Sequence, residues 1–443
     1  MTNTIILGID ISKHFADMCA ISGTGEVLLE SKIYYDLPGL QHLTEQLGVL
    51  SKSKLDTVSA VMESTAHYHR LLEQHLRRIG VNVTVINPIQ SGSLKNLEIR
   101  KVKSDRTDAK RLAQMFLFRM FRQNYSDSGV IAALKDLTRQ RNDIIAERVR
   151  FANKLTALLD QDFPGFRKVF CSIQTYSATA VLSKYPTPNA VLNARRSAIC
   201  KVIADASGKR PSSKYAEQKT ELLISAAKAA QEIRVDRGSF PTLVSLYADM
   251  LINIRHIIDT LEFQIFDIAQ SDPRFWESVE LLTTIPGIGQ YSAIVILSEI
   301  GDFSRFQKAK QLVAFAGLDP AVKQSGTMVV THNKISKRGS ANIRKVLNIC
   351  THVAVHPGCK HQPANAVLAE FYEKKRSGKP ANVALCACMH KMMVYIFAVL
   401  RSRKPFELRS PEDHLEILRN NAIKIRCLSN TEGPSEFAKL LEA

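Results

Sequence analysis

Short apolar runs alternate with amphipathic stretches at the start of the chain. Residues 4–13 begin with an apolar run that ends in Asp10 and is followed by polar residues, a pattern typical of a buried β-strand. Leucines three and four residues apart between 37 and 50 predict a helix. Further strand patterns lie at 15–21, 27–33, 58–62 and 81–86. Strands in hairpin order followed by β-α-β alternation predict an α/β domain with a mixed sheet, the RNase H-like pattern.

The pattern after this region is mostly α. Helical stretches without Pro or Gly run from 132 to 159 and from 252 to 269, on either side of an insertion at roughly 163–240. Two such helices predict an antiparallel coiled-coil stalk. We therefore predict four parts: a sheet domain at 1–125, a stalk with its helical insertion at 126–277, a C-terminal helical domain at 278–406 and a tail at 407–443.

The charge points to a polyanionic partner. Lys and Arg number 60 against 42 Asp and Glu, a formal net charge of +18, which favours nucleic acid binding. We find no apolar stretch approaching about 18 residues and no signal peptide, so we expect no membrane span. The scattered cysteines fit a reducing cytosol, and a cytoplasmic protein is expected.

Four carboxylates form the first candidate site. Asp10 and Glu63 follow predicted strands, and Asp105 and Asp108 lie three residues apart at the start of a predicted helix. Carboxylates brought to one sheet edge suit hard divalent cations, here Mg²⁺ or Mn²⁺. The alternative for the last two is helix capping, which favours Asp in the first turn. Neighbouring cations could hold a phosphate backbone at this site, in particular Lys101, Lys103 and Arg106.

The first strand also fits one other class of protein. A Gly-Ile-Asp strand followed by a hairpin opens actin-like ATPases, in which a Gly-rich turn holds phosphates. Residues 11–14 contain no glycine, so we disfavour that interpretation.

The C-terminal half carries a second candidate site. Pro286, Gly287 and Gly289 form a Pro-Gly-Xaa-Gly turn, typical of a helix-hairpin-helix that presents backbone N–H groups to phosphate. The same hairpin also serves as plain scaffold, and that alternative stays open. Residues 334–344 add a basic loop whose cations would bind phosphates, Lys334, Lys337, Arg338 and Arg344.

Together the two blocks resemble the DEDD transposases of the IS110/IS1111 insertion-sequence family. The resemblance covers roughly 4–122 and 278–406 and rests on ordered motifs: Gly8-Ile9-Asp10, Glu63-Ser64-Thr65, Ile86-Asn87-Pro88, 103–109, Pro286-Gly287-Ile288-Gly289, 316–320, Gln324-Ser325-Gly326 and 335–339. One departure is Gly339-Ser340 where family members carry Gly-Asn.

The resemblance implies a function. It implies a RuvC-like domain whose metal ligands are Asp10, Glu63, Asp105 and Asp108, and a C-terminal transposase domain whose nucleophile is Ser325. It also implies a bacterial or archaeal, nucleoid-associated recombinase that acts on donor and target double-stranded DNA, guided by a structured bridge RNA. The stalk helices would support a homo-oligomer, a dimer or a tetramer. A junction resolvase or metal-dependent nuclease, and a non-catalytic RNA- or DNA-binding scaffold, remain the alternatives.

A cluster of His and Cys residues is a weaker candidate. His352 and His356 are four residues apart, a possible zinc pair, and further members follow at Cys359, His361, Cys386, Cys388 and His390. The chain has no Cys-Xaa-Xaa-Cys here, and Cys386 and Cys388 fit a buried helix. We therefore favour a structural role over zinc binding.

Overall fold

The fold is described from a computed structural model of the chain. It describes residues 4–64, 67–86, 105–118, 129–208, 213–235, 237–320, 324–325, 328–329, 334–357, 362–409, 413 and 416, without the side chains of 105, 106, 324, 325, 328 and 329. The chain forms two compact units, Met1–Ser126 and Asp127–Ala443. The finer division into four parts stays a prediction.

The first unit is built on a mixed five-stranded sheet in the order β3-β2-β1-β4-β5. β1 pairs antiparallel with β2 and parallel with β4. The strands are Ile5–Ile11, Phe15–Ile21, Val27–Tyr34, Val58–Glu63 and Asn82–Ile86. The predicted mixed sheet is confirmed, and it is consistent with an RNase H-like domain.

Helices cover both faces of this sheet. On one face, buried leucines of α1 (Leu37–Leu50) and α2 (His69–Arg78) pack against the odd-numbered residues of β1. On the other face, Ala109 and Ala113 of α3 (Asp105–Leu117) pack against Ile6. The alternation of side chains along a strand separates these two cores, and the even-numbered residues of β1 therefore face α3.

Within the described residues, the second unit consists of helices and a short hairpin, β6 (Gln324–Ser325) and β7 (Met328–Val329). Its helices α4–α16 are Gly129–Asp162, Phe166–Val169, Tyr176–Lys184, Pro188–Asn193, Arg196–Ser207, Lys214–Gln231, Phe240–Ser271, Pro273–Thr283, Gln290–Ile300, Ala309–Phe315, Ala341–Val355, Ala366–Arg376 and Ala381–Ser402. The long helices predicted around 132–159 and 252–269 are thus present and extend further. α4 and α10 pack together and are joined by the Arg141–Glu262 ion pair. A coiled coil in the strict sense stays a prediction.

Two hydrophobic cores hold this unit together. The insertion helices α5–α9 close around one core with the C-terminal part of α4 and the N-terminal part of α10, and Phe163 and Phe166 are its largest fully buried side chains. Helices α11–α16 form the other core, which contains the turn residues Ile285 and Ile288. The insertion is therefore a folded helical element with its own core.

The apolar helix α16 corrects one expectation. An 18-residue window within Ala381–Ser402 has a mean hydropathy of 2.0, so this helix is long and apolar enough to cross a membrane. The statement that no apolar stretch approaches this length was therefore wrong. Half of the window is buried against the helices of the second core. The packing of its side chains against these helices accounts for the apolar composition of α16.

Candidate functional site

Two carboxylates lie side by side where β1 and β4 end. Ile9 pairs with Met62 in the parallel ladder, so the next residues in the same register are Asp10 and Glu63. Adjacent strands are about 4.8 Å apart, and residues side by side in a ladder point to the same face. That face is the one covered by α3. Glu63 is buried, and Asp10 is partly exposed at the sheet edge.

Gly8 brings α3 onto the same place. A Cβ on Gly8 would lie 2.0 Å from Ala109 O and 2.6 Å from Ala113 N, so only glycine lets the helix backbone approach β1 this closely. Asp108 immediately precedes Ala109 and is 6% exposed. The close approach therefore packs α3, the helix that carries Asp108, on the face of the sheet to which Asp10 and Glu63 belong.

Asp105 and Asp108 share one side of α3 because they are three residues apart. The backbone of Asp105 begins the helix, while its side chain lies outside the described residues. Arg111 donates from Nη1 to Oδ1 of Asp108 at 2.7 Å. Asp10 and Glu63 therefore share the face of the sheet that α3 covers, and Arg111 neutralises Asp108 on that helix. The convergence of the four carboxylates on one metal ion stays a prediction.

A divalent cation fits this site by the chemistry of its donors. Mg²⁺ takes carboxylate oxygens and keeps several waters, so two or three carboxylates suffice to bind it. Among the described side chains, no three of His, Cys, Asp or Glu already stand in metal-binding geometry. The donor set therefore agrees with the divalent metal ion that the resemblance implies.

Asp17 is an acidic neighbour that we did not predict. It pairs directly with Asp10 across the antiparallel β1–β2 ladder and is 3% exposed. Opposed residues in such a ladder point to the same face, so both carboxylates face α3. The signal was present in the sequence, because the tight turn at 12–15 sets the register that pairs these residues.

Tyr35 holds the turn that follows Asp10. Its hydroxyl donates to Ser12 O and Phe15 O, each at 3.0 Å. Burial and then the charge of Asp10 raise the pKa of Tyr35 to about 12. The hydroxyl therefore stays protonated at neutral pH and remains a donor to the turn.

In the second unit, the basic loop folds onto the segment 316–320. Gly339 packs so tightly there that a Cβ would lie 1.9 Å from Phe315 O. Ser336 Oγ donates to Asp319 Oδ1 at 2.5 Å. The guanidinium of Arg344 donates to Ala316 O and Gly339 O. The predicted motifs at 316–320 and 335–339 therefore pack against each other.

This packing separates the predicted phosphate contacts into two groups. Lys334, Lys337 and Arg338 are exposed, and Lys337 has a left-handed backbone with φ of 54°. Arg344 donates to one carbonyl of its own loop, Gly339 O, and to one of the segment 316–320, Ala316 O. The exposed three are available to a polyanion, whereas Arg344 has a structural task.

A buried carboxylate organises the same loop, and sequence reasoning missed it. Glu299 in α12 is 1% exposed. Arg139 of α4 donates to it from Nε and Nη2 at 2.7 and 3.0 Å. Ser340 Oγ and Asn342 Nδ2 donate to it at 2.8 and 3.1 Å. Burial works to raise the pKa of Glu299, but these hydrogen bonds outweigh it and hold the pKa below its usual value.

The glycines of the predicted helix-hairpin-helix turn differ in their surroundings. Gly287 has a φ of 99°, and a Cβ there would lie 2.6 Å from Cys350 O, so this glycine packs the turn against α14. Gly289 precedes α12 and has open space around it. Of the two, Gly289 is the one that a phosphate can approach.

The backbone of Ser325 pairs with Met328 in the β6–β7 hairpin. Its side chain lies outside the described residues, as do Lys101, Lys103, the side chain of Arg106, and the tail from 417 onwards.

The described members of the His and Cys cluster differ in burial, since Cys388 is buried and Cys386 partly buried, whereas the three histidines, His352, His356 and His390, are exposed. The rings of His352 and His356 lie 5.1 Å apart, and Tyr372 meets His356 edge-on. Burial raises the pKa of the Cys388 thiol to about 11. Cys359 and His361 lie outside the described residues.

Comparison with known proteins now bears on this geometry. A transposase family model of the IS110 DEDD type matches residues 7–164, and a model of the IS116/IS110/IS902 transposase family matches residues 279–373. The chain belongs to the IS110 family of DEDD transposases. The resemblance drawn from the motifs is thereby confirmed, and the chain is an enzyme of DNA transposition or recombination.

Relatives within and around the family agree with this. A 43.6 kDa protein of insertion element IS110 from Streptomyces coelicolor is 23% identical over 413 residues, 92% of this chain and 96% of its own. The transposase of insertion sequence IS1111A from Coxiella burnetii is 22% identical over 350 residues, 78% of this chain and 77% of its own. A pilin gene-inverting protein of Moraxella bovis is 34% identical over 163 residues, 36% of this chain and 49% of its own.

Proposed function

We propose that this IS110-family transposase exchanges DNA strands through a covalent phosphoserine at Ser325, supported by a metal site at Asp10, Glu63, Asp105 and Asp108. The observation that supports the proposal is the position of Asp10 and Glu63 side by side at the ends of β1 and β4, on the face that is covered by α3 with Asp108. Gly8 has no Cβ, and this lets the backbone of α3 approach β1 closely at that face.

The proposed step conserves the phosphodiester bond energy. Ser325 Oγ attacks a DNA phosphorus and forms a P–O bond, the bond from phosphorus to one deoxyribose oxygen breaks, and that sugar leaves as a hydroxyl with the proton. Reversal by a hydroxyl from another strand reseals the DNA without ATP. A serine hydroxyl needs such help, because it is a weak nucleophile at neutral pH.

The residues have separate tasks in this scheme. A bound Mg²⁺ or Mn²⁺ would polarise the phosphate and stabilise the attacking and leaving oxygens. Asp10, Glu63, Asp105 and Asp108 would hold that ion, and Tyr35 would keep the turn after Asp10 in place. The exposed Lys334, Lys337 and Arg338 would bind flanking phosphates, and Glu299 would fix the loop that carries them.

We propose further that a structured RNA supplies the sequence readout by pairing with DNA, and that the protein works in the bacterial cytoplasm as an oligomer joined through α4 and α10. The net charge of +18 supports a large nucleic acid partner. RNA of defined shape is recognised through backbone and groove contacts, which suits an excess of cations.

The test is a covalent adduct on a denaturing gel. Wild-type protein with Mg²⁺, its DNA sites and the RNA encoded beside the gene should yield protein-linked DNA. Ser325→Ala should lose the adduct but still bind nucleic acid, while Thr327→Ala, which removes a hydroxyl two residues away, should retain it. An adduct that persists in Ser325→Ala would exclude this nucleophile.

Two other results would favour the alternatives. Free 3′-hydroxyl and 5′-phosphate ends without any adduct would indicate a metal-dependent nuclease or junction resolvase. Binding without cleavage under every ionic condition would indicate a scaffold.

A further inference from the structure

The strand at one edge of the five-stranded sheet carries exposed apolar side chains. Within the described residues β3 pairs with β2 alone, so backbone N–H and C=O groups along its other side have no neighbouring strand. Val27 and Leu28 are each 42% exposed, and Tyr34 is 53% exposed. This edge therefore offers both a row of hydrogen-bonding groups and an apolar contact to a further strand.

Two opposite charges lie in the middle of the same strand. Glu30 and Lys32 are exposed and lie opposite Cys19 and Asp17 of β2, on the side of the sheet where α3 packs. Lys32 Nζ lies 4.2 Å from the centre of the Phe15 ring, and Glu30 accepts a weak hydrogen bond from Cys19 Sγ. Neither charged group forms an ion pair within the residues that the structure describes. Both are therefore available to a partner.

The geometry of antiparallel pairing limits how two copies of this strand could meet. Opposed residues both direct their backbone groups towards the other strand or both direct them away, and these directions alternate along a strand. Two identical strands therefore pair only with the two-fold axis through a residue.

The charges distinguish the possible registers. An axis through Glu30 or through Lys32 would place that residue opposite its own copy, and like charges directly opposite are destabilising. An axis through Ser31 places Glu30 opposite Lys32 twice and keeps residues 28–34 paired. Axes nearer either end of β3 shorten the ladder. One register is therefore both long and complementary in charge.

We propose that β3 pairs antiparallel with β3 of a second copy of this chain, with the two-fold axis through Ser31. Each Glu30 lies opposite Lys32 of the other copy, and Leu28 packs beside Tyr34 of the other copy at each end. The two sheets then continue into one another. This contact lies outside the carboxylate cluster and the Ser325 hairpin, and it depends on neither the phosphoserine step nor the association through α4 and α10.

The pair of charges argues against a purely protective role. A lysine on an edge strand often prevents a further strand from pairing, because its charge would be buried without a partner. Here Glu30 supplies that partner in one register, so the charges select a register and disfavour the others.

Charge reversal tests the pairing in the full-length protein, with sedimentation velocity over a range of concentrations as the measurement. Glu30→Lys and Lys32→Glu should each weaken self-association by about tenfold, because both charge pairs become repulsive. The double variant Glu30→Lys/Lys32→Glu restores both pairs and should associate as the wild type does. Equal amounts of the two single variants should associate with each other, since each supplies the charges that the other lacks. If α4 and α10 also join subunits, the reversals should halve the mass of the assembly.

A cysteine on the axis tests the register. Opposed Cα atoms in an antiparallel pair are about 4.5–5.5 Å apart, which is within the range that a disulfide spans. Ser31→Cys should therefore form a covalent dimer under mild oxidation, and a non-reducing gel would show it. Leu29→Cys keeps both charged residues but places its two copies far apart in this register, so it should stay unlinked, as should the wild type.

Asp56→Lys is the matched control for charge. Asp56 is exposed and precedes β4, which is separated from β3 by two strands, so the same change in charge should leave self-association unchanged. Circular dichroism would verify that each variant is folded.

Several results would overturn the proposal. They are a wild type that does not self-associate, wild-type association in both single variants, or a folded double variant that fails to recover association. Reversals that alter nucleic acid binding and leave self-association intact would also overturn it, because the edge would then serve another partner.

Discussion

Gly8 and Ala109 touch through their backbones at the centre of the first unit. A Cβ on Gly8 would lie 2.0 Å from the carbonyl oxygen of Ala109, which is less than any van der Waals contact. The position of Asp108 relative to Asp10 therefore depends on the absence of one side-chain atom.

Gly8→Ala should displace α3 from the sheet. Overpacking of this kind costs about 1–3 kcal/mol of unfolding free energy, and we expect strand cleavage to be lost because Asp108 moves away. Urea unfolding and a cleavage assay would measure the two effects. The control is Gly48→Ala in α1, where a Cβ meets nothing within 4 Å; it should raise stability by up to about 1 kcal/mol and keep full activity. A fully active Gly8→Ala protein would refute the close-packing argument.

Mg²⁺ should raise the melting temperature of the protein, because an ion that binds only the folded state stabilises it. Asp10→Asn should remove most of this rise and abolish cleavage while nucleic acid binding remains. Asp17→Asn should reduce the rise by less, since this residue adds negative charge beside Asp10 without being one of the four proposed ligands.

The matched control is Asp56→Asn. Asp56 is exposed and precedes β4, at the end of the strand opposite Glu63, so the Mg²⁺-dependent rise should be unchanged. If Asp10→Asn keeps the full rise, the ion binds elsewhere.

Glu299 should make stability depend on pH in the acid range. Its pKa is lowered in the folded state, mainly through Arg139, so its contribution is present above the unfolded pKa of about 4.3 and is lost as pH falls further towards the folded pKa. Glu299→Gln should cost about 1–3 kcal/mol at pH 7, less than for a fully buried pair because Arg139 is half exposed. The difference between wild type and variant in urea unfolding should therefore shrink below about pH 4.

Glu277→Gln provides the comparison, since this residue forms an exposed ion pair with Arg403. Exposed pairs contribute about 0–1 kcal/mol. The difference in unfolding free energy between wild type and Glu277→Gln should therefore hardly change with pH. If the difference for Glu299→Gln were equally independent of pH, the proposal that the Glu299 carboxylate holds the basic loop in place would be contradicted.

Arg338 and Arg344 should behave differently although both belong to the basic loop. Arg338→Gln should reduce the slope of log affinity against log salt for duplex DNA by about 0.9 and leave stability unchanged, because the side chain is exposed. Arg344→Gln should lower the unfolding free energy by about 1–3 kcal/mol, since it leaves the carbonyls of Ala316 and Gly339 without their donor. DNA titrations at several salt concentrations and urea unfolding would distinguish the two, and equal effects on stability would contradict the structural role of Arg344.

Mixed oligomers should reveal whether one active site uses two subunits. We expect a composite site, in which Ser325 of one subunit works with the carboxylates of another, because α4 and α10 are long enough to join subunits. Asp10→Asn and Ser325→Ala proteins, each inactive alone, should then recover adduct formation when mixed and reassembled. A mixture that stays inactive while forming mixed oligomers would indicate that each subunit carries its own complete site.

The sequence alone determined the parts of this protein that depend on near neighbours in the chain. The apolar runs located all five strands of the sheet because alternation and turn residues are local properties. The i, i+3 spacing of Asp105 and Asp108 assigned them to one side of a helix for the same reason. The ordered motifs identified the transposase family.

Only the tertiary structure decided which of these parts meet. Asp17 became a neighbour of Asp10 through a ladder register, and Glu299 acquired Arg139 and Ser340 from segments far away in the chain. In the sequence, Arg344 and Gly287 were predicted to contact phosphate. In the structure, Arg344 donates to the carbonyls of Ala316 and Gly339, and Gly287 packs against α14. A side chain's task depends on what surrounds it after the core has closed, and residues distant in sequence supply those surroundings.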